Sequence, residues 1–206
     1  MDNPVEKYFT SLSNDKKDKL SSLESIYSDW NSRINLVSRK DMDDFVLHHV
    51  IHSLSISRII KFRPGTRILD AGTGGGFPGI PLAVVFPDTS FTLVDSIRKK
   101  VNAVEDIRQK LDLQNVKTMW SRIEDIKDSF DFILSRAVAP FPDLLKWTRK
   151  LIKRQSNNKL PNGIIALKGG TLEEELINYP QCQVFNIRDF FNEEYFREKR
   201  IIYMEV

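Results

Sequence analysis

Four side chains able to bind or polarise a ligand stand at the ends of short apolar runs. Asp70 closes Arg67-Ile68-Leu69-Asp70, and Asp95 closes Thr92-Leu93-Val94-Asp95. Arg136 follows Phe132-Ile133-Leu134-Ser135, and Lys168 follows Ile164-Ile165-Ala166-Leu167. Just beyond Asp70, five of the eight residues from Gly72 to Gly79 are glycine. An apolar run that stops at glycines and restarts as a helix brings backbone close to a ligand. Pro78 and Pro81 have no N–H to donate and fall in the first helical turn, where proline is tolerated. The donors expected to face a ligand therefore come mainly from Gly74 to Phe77.

Residue types narrow the ligand. No Gly-Lys-Ser/Thr follows the turn, which excludes a P-loop. A dinucleotide fold would place a third glycine where Phe77 stands. Asp70 puts a carboxylate where such a fold seats a pyrophosphate, and an anion beside a phosphate is unfavourable. Beside an ammonium or a sulfonium it is favourable, which points to S-adenosyl-L-methionine, a nucleoside with both cations and no phosphate. Asp95, about twenty residues past the turn, suits the two ribose hydroxyls. The stretch Ser121-Arg122-Ile123-Glu124-Asp125 follows the next apolar run, where this architecture meets an adenine ring.

These residues need a scaffold, and apolar spacing describes one. Beyond Arg63-Pro64-Gly65, strands are predicted at 66–70, 90–95, 116–120, 130–135 and 163–168, with helices at 79–86, 97–112, 140–153 and 171–178. This alternation predicts an α/β domain with a parallel sheet covered on both faces. Two last strands, 182–191 and 196–206, joined by Asn192-Glu193-Glu194, predict an antiparallel hairpin at its end. Residues 154–162 read as a loop. Ahead of the sheet, Leu20, Leu23, Tyr27, Trp30, Ile34 and Val37 predict a helix over 15–37, capped by Asn14 or Asp15. Met42, Phe45, His49, Ser53, Ile56 and Ile60 predict a second over 41–60. Residues 1–62 thus form a helical extension and 63–206 the main domain.

The motifs also match a family. Trp30-Asn31-Ser32-Arg33-Ile34-Asn35-Leu36, the paired histidines before Ser53, the turn from Asp70 to Gly79, Leu93-Val94-Asp95-Ser96, Ser121-Arg122, Ser135-Arg136-Ala137 and Ala166-Leu167-Lys168-Gly169 occur in order. Over about residues 20–170 the chain resembles the bacterial small-subunit ribosomal RNA guanine-N7 methyltransferases, the glucose-inhibited division protein B family. The resemblance implies a class I S-adenosylmethionine-dependent methyltransferase fold, Rossmann-like, with an N-terminal helical extension. It implies methylation at N7 of one guanosine in the decoding-region loop of 16S ribosomal RNA, with that RNA or the small subunit as partner. By motif position it implies cofactor contacts at Gly72 and Phe77, at Ile123 and Glu124, and at Arg136. Gly74, Gly76 and Ser96, in the same motifs, complete the expected seat with Asp70 and Asp95.

Acceptor chemistry agrees. Enzymes that methylate exocyclic amines usually place Asn/Asp/Ser-Pro-Pro-aromatic after the fourth strand, to accept from the amine. Here that place reads Ser135-Arg136-Ala137-Val138-Ala139-Pro140. Carbon methylation of a pyrimidine needs a cysteine nucleophile, and the one thiol, Cys182, lies past the core sheet in a predicted strand. Guanine N7 has a free lone pair and no proton to lose, so alignment and a dry site suffice. Arg136 is expected to orient the cofactor or the guanine edge, and Lys168 to contact RNA phosphate. Three rival classes stay open. They are a methyltransferase acting on a non-RNA substrate, a nicotinamide-dependent dehydrogenase disfavoured by Asp70 and Phe77, and a non-catalytic adenosylmethionine-binding module.

Composition bounds the rest. With 31 Lys and Arg against 28 Asp and Glu, the net charge is +3, compatible with nucleic acid without demanding it. Basic clusters lie at Arg98-Lys99-Lys100, from Lys146 to Arg154, and at Arg197, Lys199 and Arg200; the N-terminal helices add Lys16, Lys17, Lys19, Arg33, Arg39 and Lys40. One cysteine excludes an internal disulfide and a cysteine-based zinc cluster. His48 and His52 are four apart, but no third ligand stands near, so no metal is expected and the histidines read as structural, with His49 in reach of substrate. No signal-peptide core or membrane-length apolar run is seen. The chain reads as a soluble, cytoplasmic monomer.

Overall fold

The computed structural model describes residues 3–206; Met1, Asp2 and the side chain of Arg39 lie outside the described part. Seven strands form one sheet: β1 Arg67–Ala71, β2 Ser90–Asp95, β3 Val116–Trp120, β4 Phe132–Arg136, β5 Gly163–Gly169, β6 Gln183–Asn186 and β7 Lys199–Glu205. Their order is β3-β2-β1-β4-β5-β7-β6. The first five run parallel, and β7 pairs antiparallel with both β5 and β6.

Alternation along each strand feeds two cores. Ile68, Phe91, Leu93, Phe132, Leu134, Ile165 and Leu167 face one side, where they meet the N-terminal helices and helix Gly79–Val85. Leu69, Val94, Ile133, Ile164 and Ala166 face the other, against Phe141, Leu144 and Ile123. Burial on both faces explains why these strands read as unbroken apolar runs. The other crossover helices are shorter than expected, at Arg98–Lys110, Phe141–Thr148 and Glu173–Leu176.

The N-terminal segment differs most from expectation. Its long helix spans Asn14–Asn31 and stops short of residue 37. Asn31 ends it: its side-chain oxygen takes the N–H groups of Leu36 and Val37 at 2.9 and 3.0 Å, and its amide returns to the Val37 carbonyl. A short polar side chain here offers the backbone an alternative to the helical ladder. Leu36 and Val37 are buried all the same, in a loop beside Gly75. The second expected helix is wound in three ways: π-helical over Val46–Ile51, α over His52–Leu54 and 3-10 over Ser55–Arg58. The Ser53 and Ser55 hydroxyls bond the carbonyls of His49 and His52, both at 2.6 Å, within this irregular stretch. Such π segments recur at functional sites.

The C-terminal strands are shorter than the apolar content suggests. Ile187, Phe191 and Phe196 are buried in the connection between β6 and β7, against the N-terminal helices. Tyr8 packs edge-on to Phe191 at 4.9 Å, and Glu193 accepts from Lys7 and Tyr8 at 2.8 Å. The chain winds into 3-10 turns at Ile187–Asp189 and Glu194–Phe196, and the spacing of five from Phe191 to Phe196 does not fit a pleat of period two. Cys182 precedes β6, and is not in a strand as expected.

Candidate active site

The glycine turn is built around Asp70. This residue, next to last in β1, is wholly buried, and its Oδ2 accepts from the Thr73 hydroxyl at 2.7 Å and the Gly79 N–H at 2.8 Å. A Cβ at Gly79 would lie 2.7 Å from that oxygen, so only glycine lets the helix start this close to the carboxylate. Gly76 has φ +92°, a conformation L side chains rarely adopt, and sits under Ile80 and the Tyr27 hydroxyl, which bonds the Gly75 carbonyl.

The turn's amides are largely used within the fold. Thr73 N–H bonds Val94 O at 2.8 Å, Gly74 N–H bonds the Asp95 carboxylate at 2.9 Å, and Gly76 and Phe77 both donate to Thr73 O. The expectation that Gly74 to Phe77 would offer donors is corrected for three of those four residues. A phosphate needs free donors, whereas an ammonium needs acceptors. The turn therefore suits a cationic ligand better than a pyrophosphate.

Above the turn opens a cavity of about 980 Å³. Gly72, Gly74 and Phe77 line it from the turn, Asp95 and Ser96 from the end of β2, Ile123 and Glu124 from the loop after β3, and Arg136 from the end of β4. The Asp95 oxygens each hold one backbone N–H, Gly74 at 2.9 Å and Ile97 at 2.8 Å. A carboxylate has about four acceptor sites, so roughly two stay available for a diol. Ile97 and Ile123 give apolar walls for a flat ring. The residues present thus fit adenosylmethionine by donor set and shape.

Arg136 stands where this cavity meets a second one of about 460 Å³, and His49, Arg136 and Ala137 line both. The guanidinium lies 4.7 Å from the Phe77 ring centre and donates to His49 Nδ1 at 3.0 Å and His48 O at 3.3 Å. No carboxylate pairs with it among the described residues. A buried cation held only by neutral groups is costly unless a ligand supplies acceptors. Facing a donor, His49 Nδ1 must accept, so the ring proton sits on Nε2, which is buried without a partner. Burial, with the Arg136 charge, pushes His49 down to about 3, so it is neutral and has no free lone pair. His52 is pushed down likewise by burial. His48 stacks on Tyr195 at 3.9 Å.

Eight of the expected cofactor residues line the first cavity together, and two do not. Asp70 lies beneath the turn because its oxygen is needed to fold it, and Gly76 faces Tyr27 and Ile80. Lys168 lines the second cavity, but its ammonium is held by Ala139 O at 2.5 Å and Glu175 Oε1 at 2.8 Å. Sequence reading missed Trp120, exposed at the first cavity with the Arg98 guanidinium 4.9 Å from its ring, and missed Tyr195 and Glu175 in the second. Trp120 ends a strand in an otherwise polar stretch, a signal that was legible; Tyr195 and Glu175 carried none. Among the described residues no group of three or more His, Cys, Asp or Glu could hold a metal ion, and no helix is long and apolar enough to cross a membrane.

Asp70 carries a pH prediction. Burial raises its pKa from 3.8 to about 6, against the pull of its Thr73 and Gly79 bonds. An acid whose folded pKa is raised stabilises the fold below its unfolded pKa, and that contribution is lost as pH climbs through the folded value. Between about pH 4 and pH 7 it should cost the parent on the order of 3 kcal/mol, a cost absent in Asp70→Asn. Urea unfolding of both proteins at pH 4 and pH 7 should show the difference shifting toward the variant at the higher pH.

A sheet in this order, with a glycine turn after β1, an acid ending β2 and a cavity across the strand ends, defines a class I methyltransferase. The fold is shared with a SAM dependent methyltransferase from Aquifex aeolicus (TM-score 0.55, 16% identity, 73% of this chain and 87% of that one). It is also shared with the YcgJ protein of Bacillus subtilis (TM-score 0.53, 16% identity, 76% and 99% covered). The chain belongs to the rRNA small subunit methyltransferase G family, which matches residues 16–201. Proteins named Ribosomal RNA small subunit methyltransferase G are 47% identical in Bacteroides fragilis, over 97% of this chain and 98% of that one, and 48% identical in Porphyromonas gingivalis, over 97% and 91%.

Proposed function

We propose that the chain transfers the methyl group of S-adenosyl-L-methionine to N7 of a guanosine in the decoding-region loop of 16S ribosomal RNA. The observation that carries this reading is the junction at Arg136: two cavities share one wall, and that wall holds a cation and a neutral histidine whose one lone pair the cation occupies, but no carboxylate. Bound adenosylmethionine supplies an electrophilic methyl on a sulfonium and a neutral thioether leaving group. Asp95 holds the ribose hydroxyls; Ile123, Glu124 and Ser96 border the adenine; Gly72, Gly74 and Phe77 seat the amino-acid end. Arg136 points its fork at the guanine from the second cavity. Because the N7 lone pair must face the methyl group, Arg136 binds O6 during transfer, where it orients the base without blocking attack. No proton leaves N7, so no general base is required. The 1–62 extension, which shares a core with the 63–206 domain, acts as a cap on it. The protein works in the cytoplasm as a monomer, with the ribosomal RNA or small subunit as its partner. Mass mapping of ribosomal RNA from cells with and without the gene tests this: one 7-methylguanosine in 16S RNA should vanish on deletion. An unchanged modification profile would exclude it.

A further inference from the structure

The stretch between β4 and the helix Phe141–Thr148 begins at the wall shared by the two cavities, where Ala137 lines both, and it is strained there. Ala137 has φ +55°, a left-handed conformation that is unfavourable for a residue with a Cβ. Val138 presses toward the glycine turn, and a Cβ at Gly72 would lie 2.6 Å from its Cγ2. Strained backbone persists only where its surroundings hold it. Two side chains from distant parts of the chain do so. Lys168, near the end of β5, donates to the Ala139 carbonyl at 2.5 Å. Glu175, on the helix Glu173–Leu176, accepts the Phe141 N–H and pairs with Lys168 at 2.8 Å through the same oxygen. One carboxylate therefore ties down the far end of the turn and also fixes the lysine that ties down its middle. Both side chains are largely shielded, with 12% and 21% exposed, so solvent screens this contact less than it would a surface pair.

We propose that Glu175 is a positioning residue for methyl transfer: with Lys168 it latches the turn from Arg136 to Phe141 and so fixes the wall through which donor and acceptor meet. This rests on the reading of the two cavities as donor and acceptor sites. It assigns Lys168 to the same latch, in place of the expected phosphate contact. Released, the turn relaxes at Ala137, and Arg136 leaves its place between Phe77 and His49. Asp95, with Ile123 and Glu124 in the loop after β3, makes no hydrogen bond to the released turn, so these cofactor contacts stay and affinity changes little.

Glu175→Ala should lower kcat at least tenfold, with KM for adenosylmethionine and for small-subunit RNA each within threefold of the parent. Amide exchange at Phe141 should speed up at least tenfold. Glu175→Gln keeps an oxygen for the Phe141 N–H and for the Lys168 ammonium, and should retain more than a third of parental kcat and near-parental exchange. Adding Ala137→Gly to Glu175→Ala removes the strain the latch opposes, and should recover part of kcat. Parental kcat in Glu175→Ala overturns the proposal. So does a raised KM for RNA at unchanged kcat, which would make Glu175 a docking residue. If Glu175→Ala fails to fold, a Glu175→Gln protein as inactive as Lys168→Met, with Phe141 still protected, also overturns it. A parent that forms no 7-methylguanosine while the exchange results hold would instead strike the functional reading alone.

Discussion

Arg136→Ala is expected to lower kcat for 7-methylguanosine formation by about a hundredfold or more, the scale on which misplacement of reacting groups by an ångström is felt. The side chain lines both cavities and is the one cation on their common wall. Its loss leaves the guanine edge without a partner and removes the lid over Phe77. The fold should survive, because burial works against this guanidinium and no carboxylate among the described residues is paired with it. Near-parental thermal stability with lost kcat is therefore the expected pair of results. Arg136→Lys restores charge but not the fork, and should recover only a small part of the rate. Parental methylation by Arg136→Ala would refute its role.

Asp95→Ala should act on binding in place of rate. Isothermal titration with S-adenosylhomocysteine is expected to show affinity weakened at least about a hundredfold, since bonds to a charged group contribute about 1.5–3 kcal/mol each and two are lost to the ligand. The same change frees the Gly74 and Ile97 N–H groups that now hold the turn to β2. Because the ribose is gripped equally before and during transfer, KM for adenosylmethionine should rise while kcat at saturation stays within a few fold. NAD should bind neither protein. An affinity within threefold of the parent would show that Asp95 serves the turn alone.

In the proposed reading these two effects separate because the two cavities are lined by different parts of the chain. Most of the first is local: β1, the glycine turn, the end of β2 and the loop after β3 lie within residues 67–125. The second is assembled from the π-helical segment, the ends of β4 and β5, the short helix at Glu173 and the β6–β7 connection. That difference in sequence distance decided what could be read in advance.

Short-range patterns were legible. Apolar runs ending in Asp70 and Asp95 marked parallel strands, since burial on both faces demands unbroken apolar residues. Phe77 in place of a glycine and the absence of a P-loop lysine narrowed the ligand by chemistry alone. Competition between side chains and the regular backbone ladder, near or far, was not legible. Asn31 ends a helix that its apolar stripe would have continued, because its side chain finds the Leu36 and Val37 amides. Ile187, Phe191 and Phe196 read as strand and bury against the N-terminal helices instead.

The amino-acid sequence alone determined the α/β architecture, the glycine turn beneath the first cavity and the family, because each rests on residues close together in the chain. Only the tertiary structure decided what the charged residues do there. Asp70 carries two bonds that fold the turn, so the acid inferred to face a cation is buried beneath it. Lys168 is held by Glu175 and Ala139, while Arg136 has no acid partner among the described residues. Whether a charge is paired depends on which groups a fold brings within a few ångströms, and no spacing along the chain contains that information.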